Sequence, residues 1–134
     1  MCLITRQKKA KITKKDLVVF KCLNNGDISV SRYFPWIEGQ LVKCDLKIIK
    51  REHPSNNHGG DWFYADHITN GIYNGLSNCY AISVGLHACT TKERAKRLAD
   101  CYDTNIIEEF LIPKGSEVFY DVTGLIVSNQ MMML

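Results

Sequence analysis

His87 and Cys89 stand two residues apart in Gly85-Leu86-His87-Ala88-Cys89, and Thr90 and Thr91 follow directly. On a strand, positions two apart share a face, so an imidazole and a thiol would lie side by side. A thiol attacks only as the thiolate, which a neighbouring base or a positive field favours. Cys89 also precedes a helix signal, and a helix N-terminus lowers a thiol pKa. The same residues fit a quieter role, in which Cys89 is a small core residue and His87 bonds a backbone carbonyl. No glycine-flanked nucleophile elbow surrounds the cysteine. A second Cys–His pairing would use Cys79, in Ser77-Asn78-Cys79-Tyr80, with His67 or His87 as base. Cys79, His87, Cys89, His58 and His67 match no zinc-ribbon or finger spacing, so no metal site is expected.

A further cluster follows the loop His53–Asp61, whose proline, asparagines and glycines are loop-forming. Trp62, Phe63 and Tyr64 come next, with Asp66 and His67 close behind. Aromatic faces with polar tips suit a ligand cleft or a protein contact, and equally a small core beneath a long loop. The expected contact surface is therefore Trp62, Phe63, Tyr64, His67, His87, Thr90 and Thr91.

The elements that must hold these residues are mostly strands. Asp16–Leu23 is β-branched and aromatic, and ends at the turn signal Asn24-Asn25-Gly26-Asp27. Ile28–Phe34 alternates as its hairpin partner until Pro35 breaks the ladder. Leu41–Glu52 could be helix or strand, and Val42 and Ile48-Ile49 favour strand. Cys79–Cys89 reads as one buried strand with Gly85 as a bulge. Thr90 or Thr91 then caps a helix over about 91–103, with Ala95, Leu98, Ala99 and Tyr102 on its inner face and Thr90/Glu93 at capping-box spacing. Ile106–Ile112, Glu117–Asp121 and Leu125–Leu134 read as three further strands. The expectation is one α+β domain, a largely antiparallel sheet of six to eight strands with one main helix.

The chain has 134 residues, 46% hydrophobic and 23% charged, as in an ordinary single globular domain. No apolar run reaches the ~18 residues of a membrane span, and no export signal is read at the N-terminus. Six cysteines without a CxxC pair then point to free thiols in a reducing, cytosolic setting. The net charge of +3 conceals an asymmetry. Arg6, Lys8, Lys9, Lys11, Lys14 and Lys15 crowd residues 1–15 with no acid among them, and the body, 16–134, is mildly acidic. Such an arm could make weak nucleic-acid contact through Lys8, Lys9, Lys11, Lys14 and Lys15, or simply aid solubility. The apolar tail Met131-Met132-Met133-Leu134 suggests subunit contact through the C-terminal strand.

Three segments in order, Asp16–Leu23, Gly85–Cys89 with its helix, and Ile112–Tyr120 with Ile126–Asn129, resemble small uncharacterised proteins of gut Bacteroidetes and their phages. The resemblance spans residues 16–130 and implies a phage or mobile-element setting, in a host cytosol or virion. More distantly, Gly85-Leu86-His87-Ala88-Cys89 before a helix is similar to the G-[IL]-[YH]-x-[AS] strand of ADP-ribosyltransferase-type folds. That likeness implies NAD as cofactor, His87 orienting the nucleotide, and an acidic residue from Glu108, Glu109 or Glu117. Lys21 stands where such enzymes usually have His or Arg, and Ser29-x-Ser31 replaces their Ser-Thr-Ser element. The leading expectation is an accessory module that binds a protein or small ligand without a cofactor; the alternative is an NAD-using transferase-like enzyme.

Overall fold

A computed structural model describes residues 3–29, 34–51, 79–121 and 123–134. These form twelve strands and one helix: β1 (Leu3–Thr5), β2 (Lys11–Ile12), β3 (Leu17–Asn24), β4 (Ile28–Ser29), β5 (Leu41–Lys43), β6 (Lys47–Arg51), β7 (Cys79–Val84), β8 (Leu86–Cys89), α1 (Lys92–Cys101), β9 (Ile106–Ile112), β10 (Glu117–Tyr120), β11 (Leu125–Ser128) and β12 (Gln130–Met133). The α+β class and the antiparallel pairing agree with expectation, but six to eight strands is too few. Nine strands make one sheet, in the order β2-β10-β11-β8-β3-β9-β12-β5 with β4 beside β3, and three make a second, β1-β7-β6.

The basic segment adds β1 and β2, and three stretches expected as single strands each divide in two, the one from Leu41 giving β5 and β6 in different sheets. Cys79–Cys89 is two strands in two sheets: β7 pairs with β1 and β6, and β8 with β11 and β3. Gly85 sits at the switch because there is no room for a side chain. A Cβ there would lie 2.6 Å from Val127 Cγ1 and 2.8 Å from Leu46 Cδ2. Likewise Leu125–Leu134 is two strands of one sheet, β11 beside β8 and β12 between β9 and β5. Only Asn129 separates them, although three strands lie between them in the sheet order. The sheet must therefore fold over so that the two ends meet. Asn129 fastens that corner: its N–H donates to Glu117 O, its carbonyl accepts from Cys44 N, and its side-chain oxygen accepts from Glu117 N. β12 has neighbours on both edges, and Met131 and Met133 are buried.

Folding over encloses the main core. Val19, Leu23, Phe110, Ile112, Met131 and Met133 from one half meet Ala88, Val118 and Ile126 from the other, with Trp36 among them. The opposite face of β8, β10 and β11 packs a second core of Leu3, Ile82, Cys89, Ala95, Phe119, Leu125 and Val127 against α1 and the small sheet. β3 fits its expected span, and its hairpin to β4 turns through Gly26 and Asp27, both at positive φ. α1 follows its expected stripe: Ala95 and Ala99 are buried, and Thr91 caps it by accepting from Arg94 N at 3.2 Å. Asp103, at φ 53°, turns the chain out of the helix.

The basic segment is held against the domain. β1 and β2 pair with β7 and β10, Thr5 and Thr13 are buried, and the Gln7 side chain donates to Val118 O at 2.8 Å. Lys8, Lys9, Lys11, Lys14 and Lys15 are exposed on this stretch. None of the helices among the described residues is long and apolar enough to cross a membrane.

Gly85→Ala tests the strand switch. Overpacking of a filled core costs about 1–3 kcal/mol, which for a domain of this size lowers Tm by roughly 3–10 °C. Thermal unfolding followed by circular dichroism should show that loss; an unchanged Tm would mean that Val127 and Leu46 move aside freely.

Candidate functional site

The two halves of the large sheet meet at β3 and β8, and there the ladder is one pair long: Phe20 opposite Cys89. Neighbouring joints are longer, with seven pairs between β3 and β9 and four between β8 and β11. Beyond Phe20 and Cys89 the two strands part, and a cavity of about 370 Å³ opens between them. β3 contributes Phe20, Lys21 and Cys22 to its wall, β8 contributes Leu86 to Cys89, and α1 contributes Leu98 and Tyr102. Ser29, Phe34 and Trp36 close the remaining side.

Trp36 is fixed before any ligand arrives. Its indole N–H donates to Ser29 Oγ at 2.8 Å and its backbone N–H to Asp27 O at 2.9 Å. Its ring stands edge-on to Phe110 at 4.8 Å and to Phe34 at 5.1 Å, spacings typical of favourable aromatic pairs.

Lys21 is the unusual member of the wall. Strand alternation turns it to the same face as Val19 and Leu23, into the main core. Its ammonium donates to the carbonyl oxygen of His87, across the gap where ladder bonds stop. It lies 5.4 Å from the centre of the Trp36 ring and 5.9 Å from that of Phe110. Among the described residues no carboxylate lies in ion-pair contact with it; Glu108, its register partner on β9, is half-buried. Desolvation lowers the Lys21 pKa from 10.5 to about 8, with Cys22 and Cys89 opposing that shift slightly. The rings and the carbonyl thus offset only part of the cost of holding the charge out of water.

His87 and Cys89 both reach the cleft. His87 is half-buried, and its Nδ1 lies 3.1 Å from Gly85 O. Cys89 is fully buried, and desolvation pushes its thiol up to about 11 despite the opposing influence of Arg94. Burial therefore outweighs the helix N-terminus, and at neutral pH Cys89 is a thiol. Cys22 is shifted in the same direction for the same reason. Thr90 and Thr91 stand outside the cleft. Thr90 binds Gly124 O through both its N–H, at 2.8 Å, and its hydroxyl, at 3.2 Å, while Thr91 serves as the helix cap. Glu109 is exposed in a separate shallow depression with Lys92, Ile107 and Leu134, and Glu117 is exposed on β10. The structure thus brings together His87 and Cys89 but neither of these two glutamates. Trp62, Phe63, Tyr64 and His67 lie outside the described residues, as do His53–Asp61 and Asp66.

Sequence reading missed Lys21, Phe34, Trp36 and Tyr102 as a group. Lysine inside DLVVFKCL was the available signal, since strand alternation puts it on the face of Val19 and Leu23. Among the described residues no three of His, Cys, Asp and Glu gather closely enough to hold a metal ion. No protein-family model, curated protein or solved structure matches the chain.

Two measurements check this electrostatic picture. Iodoacetamide followed by peptide mass spectrometry should label exposed Cys101 ahead of buried Cys22 and Cys89; early labelling of Cys89 would mean that its thiol is neither enclosed nor held protonated. The second is the pH dependence of stability. Between pH 8 and 10.5 the unfolded chain keeps a Lys21 proton that the folded protein has released, so this group's contribution to stability rises with pH in that window and is flat below it. Cys22 and Cys89 act oppositely, keeping protons in the folded state that the unfolded chain loses above its ordinary thiol pKa of 9.0. Comparison with Lys21→Met removes the thiol contribution: the Tm of wild type relative to the variant should climb from pH 8 to pH 10.5. A constant difference would show that the amine is well hydrated.

Proposed function

We propose that this protein is a non-catalytic binding domain that holds a small, largely apolar ligand in the cleft between β3 and β8. The single observation that carries this reading is the cavity of about 370 Å³ at the parted strands. Small-molecule sites typically run from about 300 to 1,000 Å³ and are mainly apolar, with a few convergent polar groups. Here Phe20, Trp36, Leu86, Leu98 and Tyr102 supply the apolar wall, and Lys21 and His87 supply polarity. The wall is also braced, as the fixed indole of Trp36 shows, and a braced site loses little entropy on binding. In the phage or mobile-element setting that the resemblance implies, such a domain would serve as an accessory receptor for a metabolite.

A neutral, environment-sensitive probe, N-phenyl-1-naphthylamine, tests the reading. It should bind saturably with one-to-one stoichiometry and a blue-shifted emission. Leu98→Trp and Leu86→Trp, which fill the cleft from opposite sides, should each weaken it at least tenfold while Tm stays within a few degrees. Absence of saturable binding, or unchanged affinity in both filled variants, would end the proposal. Millimolar NAD should leave Tm unmoved. A rise approaching the roughly 2.7 kcal/mol that a hundredfold excess over Kd confers would favour the transferase-like alternative instead.

A further inference from the structure

We infer that the ligand of this cleft carries one negative charge of carboxylate size, seated against the Lys21 ammonium; the inference rests on the cleft being a ligand site. An ammonium has three N–H donors. Among the described residues, the carbonyl of His87 is the one hydrogen-bond acceptor for Lys21. The rings of Trp36 and Phe110 attract a cation but supply no lone pair. Two donors are left for whatever fills the cavity.

Among the described residues the surroundings supply no counter-charge. From its own strand Lys21 is faced by Cys22, and from β8 by Cys89 and His87. Both thiols are held protonated by burial. α1 presents Tyr102, whose phenol is also pushed up by desolvation, while its Arg94 does not line the cleft and donates through Nε to Thr123 O. Glu108 on β9 makes no ion pair with Lys21. Among the described residues the site therefore has a desolvated positive charge and no anion to match it. Leaving a desolvated charge without its partner is costly, and supplying the partner recovers that cost.

The charge count selects the ligand class. One lysine balances one monoanion. A phosphate dianion would leave an uncompensated negative charge in the same desolvated space, with no arginine among the described residues of the wall to spread it. Nor does the helix assist a dianion, because Leu98 and Tyr102 come from its C-terminal half and cap, the negative end of its dipole. The apolar wall accepts the rest of the molecule, so the ligand class is an arylalkyl or alkyl monocarboxylate.

An isosteric series tests this by titration calorimetry: 4-phenylbutanoate, 4-phenylbutan-1-ol, 4-phenylbutylamine and 4-phenylbutyl phosphate. The carboxylate should bind at least tenfold more tightly than the alcohol, and the amine should bind more weakly than the alcohol. The carboxylate's advantage should be flat below pH 8 and decline above it, as Lys21 in the free protein loses its proton. In Lys21→Met and Lys21→Gln, each first shown to unfold cooperatively, the advantage of the acid over the alcohol should vanish. Equal affinity for acid and alcohol, an acid preference that survives in both variants, or tighter binding of the phosphate would each overturn this inference and leave the cleft reading intact. Failure of acid, alcohol and neutral probe alike would bring down the cleft reading, and this inference with it.

Discussion

The fold depends on how the two halves of the large sheet are joined. A nine-stranded strip would ordinarily be held at every joint by a ladder of backbone bonds. Here the central joint has one register pair, Phe20 with Cys89, and one side-chain bond, from Lys21 to the His87 carbonyl. Parting at this seam lets β10 and β11 lie over β9 and β12 with Val118 and Ile126 inside. The same parting leaves a space that no side chain of the described residues fills. Core and cleft are thus products of one constraint, the need to fold a long antiparallel strip onto itself without closing it.

Much of this was legible in the sequence. β3 and β9 were visible from their β-branched runs, and α1 from its stripe and cap, because periodicity and capping are local properties. The two strand switches were not. At Gly85 and at Asn129 the apolar pattern runs straight through, and only the partners reveal the break: Val127 and Leu46 crowding Gly85, Glu117 and Cys44 holding Asn129. Trp36 was hidden for a similar reason. Pro35 marks the end of a ladder, and nothing in the neighbouring residues indicates that the next side chain turns inward to Phe110 and Ser29.

The cysteine–histidine pair shows magnitude deciding between two true principles. A helix N-terminus stabilises a nearby anion by about 0.3–1 kcal/mol when exposed, and by ~2 kcal/mol in favourable buried geometry. A desolvated thiolate costs more than that, and Cys89, with no exposed surface, follows the larger effect upward to about 11. The His87–Cys89 motif therefore lines the cleft while its thiol serves as packing. The polar chemistry of the site comes from the residue diagonal to it, Lys21.

That lysine conflicts with its surroundings at every level. It interrupts a β-branched run, points toward the Trp36 and Phe110 rings, and has its pKa lowered by desolvation from 10.5 to about 8. A methionine would fill the same volume and contact the same rings without bringing a charge out of water. Where local choices otherwise agree with the fold, such a conflict marks a position held for something besides stability. The bond to His87 does not account for it alone, since a neutral donor could bridge a carbonyl at lower cost in desolvation. What only a cation provides at this seam is attraction for an anion that enters from outside and touches both halves at once. Under the proposed binding role, the charge is intelligible as half of a pair that a ligand would complete.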